Sequence, residues 1–260
     1  MDWQLSTAEA ATLEFLEQSP STNTALVALA ASDEPPVDFS VILTTNQTAG
    51  RGRLGRVWVA PPGKTIAVSV LLRPVLPAGE PLELAHFGWL PLIAGVAMST
   101  AVASVVPPHR VGLKWPNDVQ IDGLKVSGIL AELVPSGDAV VIGAGLNLTM
   151  DRQELPTPVS TSLTLVGASP DDLVDRALAA YLGELRAVYD AWAAGEDLRA
   201  PVSAECGTIG RRVRVELPGG GDLYGTATAI DAEGRLVVRD DATGADRTIA
   251  AGDVTHVRHE

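Results

Sequence analysis

Thr45-Asn46-Gln47-Thr48-Ala49-Gly50-Arg51-Gly52-Arg53-Leu54-Gly55-Arg56-Val57-Trp58 interleaves glycine with arginine directly after the apolar run Val41-Ile42-Leu43. Glycine lets the backbone approach an anion closely, and guanidinium forks grip it from the sides. Residues 39–79 hold no Asp or Glu but include Arg51, Arg53, Arg56, Lys64 and Arg73. The whole chain of 260 residues nevertheless carries a formal net charge of −13. A cationic island in an acidic protein reads as a site for a small polyanion. Nucleic acid is disfavoured as a partner, because a duplex binder needs a basic face.

The same stretch excludes three familiar folds. Gly50-Arg51-Gly52-Arg53-Leu54-Gly55 matches G-x-G-x-x-G, but a dinucleotide fold needs a helix to start at those glycines. Arg56 to Gly63 has no helical periodicity, and no acidic residue stands at the ribose-binding distance. Extension to Val57 mimics a kinase glycine loop, yet H-R-D, D-F-G and A-P-E are absent. Gly63-Lys64-Thr65 ends like a Walker A loop whose first glycine would fall on Trp58.

Hydrophobic residues make up 46% of the chain and charged residues 20%, which fits a folded globular protein with one large domain and a small one. The lone Cys206 excludes an internal disulfide and suits a reducing compartment. Leu82 to Val106 is the longest apolar run, interrupted by Glu83, His86, Gly88, Pro91 and Gly95, so no membrane span is expected. The N-terminus lacks a signal-peptide pattern, and a cytoplasmic location is expected. Sixteen of the nineteen basic residues are Arg; only Lys64, Lys114 and Lys125 are Lys. A lysine here is a marked choice of a compact point charge over a planar fork.

Ser6-Thr7-Ala8-Glu9 has capping-box spacing and predicts a short helix through Ala10 to Leu16. Ser21 or Thr22 would cap a second helix. Val41-Ile42-Leu43 and Thr65 to Leu72 read as strands. Residues 82–106 predict one long buried helix bent at Pro91. Leu113-Lys114-Trp115 reads as a strand end stopped by Pro116. Val119-Gln120-Ile121, Asp122-Gly123 and Leu124 to Leu133 predict a hairpin with a type I′ turn. That hairpin returns Lys125 towards Asn117 and Asp118, with Lys125, Ser127 and Ile129 on one face. Ala139 to Gly145 predicts a strand, and Asp171 to Trp192 an amphipathic helix. From Cys206 onward, short strands alternate with glycine turns, as in a small antiparallel barrel. The domains are therefore expected to be residues 1–203 and 204–260. His256 and His259 read as tail surface residues without metal-ligand spacing.

Ser21-Thr22-Asn23, Gln47 to Arg53, Trp58, Lys114-Trp115-Pro116-Asn117-Asp118, Lys125 with Gly128-Ile129-Leu130, and Gly143 to Asn147 occur together in one order. In that combination the chain resembles the biotin protein ligases, of the monofunctional type without an N-terminal winged helix-turn-helix. The resemblance implies an α+β fold: a mixed-sheet catalytic domain, akin to class II synthetases, followed by an SH3-like barrel. It implies activation of biotin by ATP and Mg²⁺ to biotinyl-5′-AMP, then transfer to a lysine of a biotin carboxyl carrier protein. On this resemblance Lys125, Arg51 and Arg53 are catalytic. Ser21, Thr22, Asn23, Gln47, Gly50, Arg51, Lys125 and Gly128 bind biotin. Arg53, Arg56, Trp58, Asn117, Lys125 and Asn147 bind the nucleotide, and Asp118 is the candidate metal ligand. Arg212, Arg214 or Arg258 of the barrel are candidates to touch the ATP phosphates, with a solvated strand face the favoured reading for Arg212 and Arg214. A monomer or weak homodimer is expected, with neither nucleic acid nor membrane as partner. Val126-Ser127 and Pro20 depart from the usual family residues. Alternatives are a lipoate or octanoate ligase of the same superfamily, and a non-catalytic biotin or nucleotide binder.

Overall fold

The computed structural model describes residues 3–75, 83–217, 220–250 and 252–257. In chain order its elements begin with α1 (Gln4–Glu9), β1 (Thr12–Leu16), α2 (Thr22–Ala30) and β2 (Ser40–Thr44). The glycine–arginine stretch gives β3 (Gly50–Arg51) and β4 (Val57–Trp58), followed by β5 (Thr65–Leu72). Next come α3 (Leu90–Val105), β6 (Val111–Lys114), β7 (Asp118–Ile121), β8 (Leu124–Leu133) and β9 (Val140–Asn147). Helices α4 (Leu173–Ala193) and α5 (Arg199–Glu205) precede β10 (Arg212–Glu216), β11 (Asp222–Ile230), β12 (Leu236–Asp240), β13 (Asp246–Ile249) and β14 (Asp253–His256).

Seven strands form one mixed sheet in the order β1-β2-β5-β9-β8-β7-β6, in which only β1 and β2 run parallel. Its two faces are apolar for different reasons. Val41, Leu43, Ile66, Val68, Val70, Ile142 and Ala144 face the main core with α3 and α4. Ile42, Leu71 and Val141 alternate to the other face and pack on Leu26 and Ala30 of α2. Both faces of the central strands are covered, so β5 and β9 are buried almost throughout. The candidate site residues Gly128 and Asn147 lie on the α2 face.

Three local expectations are corrected. Residues 10–16 do not continue a helix: α1 ends at Glu9 and Thr12–Leu16 pairs with Ser40–Thr44. Ser6 is not a cap either. Its hydroxyl meets Asp175 at 2.5 Å and its amide donates to the same carboxylate, pinning α1 to α4. Pro91 does not bend a long helix. A 3-10 turn over Leu84–Trp89 precedes α3, and Pro91 stands in the first turn of α3, where its missing N–H costs nothing. Leu84–Val105 is the one described stretch long and apolar enough to cross a membrane, and it is mostly buried inside the protein. The Asp122-Gly123 turn is type I′ as expected, with φ of 50° and 83°.

The second sheet runs β13-β12-β11-β10-β14, all antiparallel. It is seated on the first domain through named contacts. The Trp115 amide donates to Thr208 Oγ1 at 3.0 Å, Trp89 Nε1 donates to Ala232 O at 2.8 Å, and Gly207 N donates to Leu113 O at 2.8 Å. Thr208 Oγ1 also lies 3.1 Å from His256 Nε2. His256 is thus a joint of the seam rather than a surface tail residue, while His259 and Arg258 lie outside the described residues. Burial, with Lys114 and Arg211 nearby, pushes the His256 ring down to about 4. A folded-state value below the free value of about 6.5 means that stability is complete above pH 6.5 and declines towards pH 4. His256→Gln is expected to flatten that part of the Tm-against-pH curve; an unchanged curve would contradict the assignment.

Candidate active site

The floor of the site is one rung across the sheet. Cross-strand partners run Ala67–Gly145, Gly145–Gly128, Gly128–Asp118 and Asp118–Lys114. Directly paired residues share a face, so Gly145 and Gly128 leave a gap in the middle of the α2 side. Gly143, two residues before Gly145, extends the gap. The resulting cleft is lined by Ser21, Thr22, Asn23, Gln47, Trp58 and Gly143, among others.

One end of the cleft is a web of neutral hydrogen-bonding side chains, backed by the carboxylate of Glu132. Ser21 caps α2, its side chain accepting from Thr24 N at 3.3 Å. Gln47 Oε1 accepts from the Thr22 amide at 3.0 Å and lies 3.3 Å from the Thr22 hydroxyl. Asn23 donates to Leu130 O and Glu132 Oε2, and its Oδ1 accepts from Ser69 at 2.6 Å. Ser69 also lies 2.8 Å from Thr22 Oγ1. Gly143 must be glycine here: a Cβ would stand 2.1 Å from Asn23 Oδ1.

The glycine–arginine stretch folds over this floor as a two-stranded ribbon, β3 paired with β4. Leu54 and Gly55 take positive φ at its tip. Its cations already hold carboxylates or carbonyls. Arg51 pairs with Glu132 at 2.7 Å and donates to Thr24 Oγ1. Arg53 donates to Asn117 Oδ1 at 3.0 Å, and burial pulls its guanidinium below the ordinary range. Arg56 pairs with Asp253 on the C-terminal sheet. Trp58 packs against the floor: a Cβ on Gly145 would meet its ring at 2.5 Å.

Lys125 stands over the middle of the rung. Its Nζ lies 2.6 Å from Asp118 Oδ1 and 5.8 Å from the Trp58 ring centre, and a Cβ on Gly128 would be 3.0 Å from it. The expected face-sharing with Ser127 and Ile129 is therefore corrected. The ladder slips between Val119 and Gln120, so that Gln120 faces Lys125 while Val119 faces Ser127. The extra residue, Val126, re-phases the strand and turns Lys125 onto the side of Gly128. Ser127, by contrast, is wholly buried.

Asn117 has both ends engaged, donating to Ile129 O and accepting from Arg53. Asn147 Nδ2 donates to Thr161 O at 2.9 Å, while its buried Oδ1 has no partner among the described residues. Trp58 Nε1 is likewise buried without a partner. Unpaired buried polar atoms are costly and mark places where a ligand atom completes a bond. Arg212 and Arg214 form ion pairs within the C-terminal sheet, with Asp241 and Asp222.

Of the expected site residues, Ser21, Thr22, Asn23, Gln47, Arg51, Trp58 and Gly128 line this cleft. Lys125 and Asp118 stand beside its Gly128 floor. Gly50, Arg53 and Arg56 line an adjoining pocket under the ribbon, Asn117 is joined to them through Arg53, and Asn147 lies two residues beyond Gly145 on β9. Sequence reasoning missed Ser69 and Glu132, which hold Asn23 and Arg51. Glu132 follows Gly128 and Leu130 at two-residue steps on β8, a signal that strand alternation carries.

Residues 15–147 match the biotin/lipoate A/B protein ligase family, and residues 208–257 match the biotin protein ligase C-terminal domain. The biotin–[acetyl-CoA-carboxylase] ligase of Mycobacterium tuberculosis is 43% identical, covering 95% of this chain and 89% of the relative. That of Paracoccus denitrificans is 32% identical over 86% of this chain and 93% of its own. The biotin protein ligase of Aquifex aeolicus in complex with biotin and ATP superposes with a TM-score of 0.74, at 23% identity, over 96% of this chain and all of that one.

Proposed function

The chain belongs to the biotin protein ligase family, and on that premise we propose how its residues activate biotin with ATP and pass it to the carrier protein of a carboxylase. The observation that carries the reading is the placement of one ammonium, Lys125, over a glycine floor, between a neutral hydrogen-bonding web and the arginine ribbon.

Biotin has an uncharged ureido ring and a carboxylate on a flexible chain. The web of Thr22, Asn23, Gln47 and Ser21 suits the ring. Gln47 spends its oxygen on Thr22 and keeps its NH₂ for a ligand. The carboxylate end would then reach Gly128 and Lys125. A carboxylate approaching an α-phosphate is a meeting of two anions, and fixed cations there stabilise the charge that develops at phosphorus. Lys125 bridges the attacking oxygen and the α-phosphate; Arg51 and Arg53 hold carboxylate and phosphates, with Arg56 assisting. None of the three ion pairs that now hold Lys125, Arg51 and Arg56 is fully buried, so exchanging a carboxylate for a phosphate costs little. The adenine lies by Trp58 and Asn147, whose buried Nε1 and Oδ1 offer an unspent donor and acceptor. Asn117 supports the same pocket through Arg53.

Asp118 is a lone carboxylate beside ammonium groups, and no three His, Cys, Asp or Glu cluster among the described residues. That donor set suits Mg²⁺ only in the mode where substrate phosphates and water supply most ligands. Asp118 would hold such an ion, which when bound screens phosphate charge.

The partner is the carrier domain of a biotin-dependent carboxylase. Biotin-dependent exchange of pyrophosphate into ATP, followed by labelling of a purified carrier domain, tests the reading. Lipoate in place of biotin is expected to give neither; exchange with lipoate and not biotin would transfer the chain to the lipoate branch.

Among the described residues, the tip of the 46–60 stretch is held to the rest of the protein by arginine side chains: Arg51 to Glu132 and Thr24, Arg53 to Asn117 and the Gly252 carbonyl, and Arg56 to Asp253. Ligand anions would replace those partners and tighten the ribbon over the adenylate, excluding water. Biotin plus ATP is therefore expected to slow tryptic cleavage at Arg51, Arg53 and Arg56 by about tenfold, the population shift of ~1.4 kcal/mol of extra holding. Equal cleavage with and without ligands would contradict ribbon closure.

A further inference from the structure

The floor rung does not stop at Asp118. Its outer member is Lys114, paired directly with Asp118 and so on the same face as Gly128 and Gly145. Lys64 and Lys125 each have a carboxylate within salt-bridge distance, at Glu154 and Asp118. Lys114 has none among the described residues, although it is half-buried. Its charge is felt by Asp118, Lys125 and Arg56 on one side and by His256 on the other. Successive strands stand about 4.8 Å apart, so Lys114 lies roughly 10 Å beyond Gly128 along the rung. A phosphate chain whose α-phosphorus sits at Lys125 would extend along that rung, past Asp118 to Lys114, which lies within electrostatic reach of Asp118, Lys125 and Arg56. A half-buried cation that shares its one neighbouring carboxylate with Lys125 is a docking point for a further anion, and a burden to the fold if nothing docks.

We propose that Lys114 is a catalytic residue for the leaving group: its ammonium contacts the pyrophosphate portion of ATP. The proposal rests on the adenylation reading given above and assigns a part of the nucleotide that Lys125 does not reach. In that step a biotin carboxylate oxygen forms a bond to the α-phosphorus. The bond from that phosphorus to the α,β-bridging oxygen breaks, and its electron pair leaves on pyrophosphate. Lys114 neutralises the charge gathering on that departing oxygen and its neighbours. Transfer of biotin from the adenylate to the carrier lysine expels AMP and involves no pyrophosphate, so Lys114 has no part in it.

The two half-reactions separate the assignment from a structural role. Lys114→Met keeps the apolar stem and removes the charge. Biotin-dependent pyrophosphate exchange is expected to fall by about 100-fold, the worth of one well-placed charged group in a transition state. Transfer from supplied biotinyl-5′-adenylate to a purified carrier domain is expected to stay within about threefold of the parent, below the ~1.4 kcal/mol that one decade represents. Lys114→Arg, which restores charge with altered shape, is expected to recover part of the exchange. Two results overturn the proposal: exchange by Lys114→Met reduced less than about fivefold, again under one decade, or transfer falling in parallel with exchange. A parent chain that shows no biotin-dependent exchange at all would overturn the adenylation reading itself, and is recognised before any variant is made.

Discussion

Replacing Lys125 with alanine is expected to slow biotinyl-adenylate formation by about two to three orders of magnitude, equivalent to the roughly 3–4 kcal/mol that a preorganised charged donor supplies at a developing negative charge. The side chain is held ready rather than free. Its backbone N–H donates to Val159 O at 2.8 Å, and its carbonyl accepts from Thr161 N at 2.8 Å, so the residue is clamped on the side away from β7. Asp118 and the Trp58 face fix the ammonium over Gly128. The ion pair with Asp118 is partly open to solvent, at 33% and 22% side-chain exposure, and a pair of that kind contributes at most ~1 kcal/mol to stability. The variant should therefore melt close to the parent while losing exchange activity. That combination separates chemistry from folding. A stably folded Lys125→Ala protein that retains more than a tenth of the exchange rate would remove Lys125 from the reaction.

The reach of sequence reasoning here follows the range of each interaction. The Asp122-Gly123 turn was legible because two adjacent positive φ values restrict residue choice locally. The arginine ribbon was legible from charge alone. The barrel strands were legible from regular turn signals, and β10 to β14 all follow Cys206 as short strands. What the sequence hid was decided at a distance. Thr12–Leu16 became a strand because Ser40–Thr44 lies beside it, not through any local signal separating it from α1. The slip at Val126 belongs to the ladder with β7, so alternation counted along β8 alone turned Lys125 the wrong way. Ser69 and Glu132 are an ordinary serine and glutamate until α2 and the ribbon are laid over their strands. His256 looked like tail until Thr208 met it. Candidate ligands were therefore readable and their supporting shell was not, because the shell is made of contacts between segments far apart in the chain.

That shell makes Gly143→Ala the most instructive change in the biotin end of the cleft, with an expected rise of about 100-fold in the apparent KM for biotin. A methyl at this position would stand 2.1 Å from Asn23 Oδ1, 2.7 Å from its Cγ and 2.9 Å from its Nδ2, distances that no packed pair of atoms sustains. Something must move, and two parts could. Helix α2 could lift away, but Leu26 and Ala30 are buried against Ile42, Leu71 and Val141, and lifting returns that apolar surface to water at ~25 cal/mol per Å². The Asn23 side chain is the cheaper concession. Its swing breaks the bonds to Ser69, Leu130 and Glu132, each worth ~1 kcal/mol, or ~3 kcal/mol together. Every 1.4 kcal/mol is about tenfold in affinity, so the loss, expressed in ligand binding, is about two decades. A double-mutant cycle isolates the cause. If the methyl acts through Asn23, then Gly143→Ala made in an Asn23→Ala background is expected to add less than about threefold, well under one decade, because the atom it collides with is already gone. Additive effects of the two substitutions would mean that the methyl blocks biotin itself, and a KM change below about fivefold for Gly143→Ala alone, again under a decade, would mean that the Asn23 web does not bind biotin.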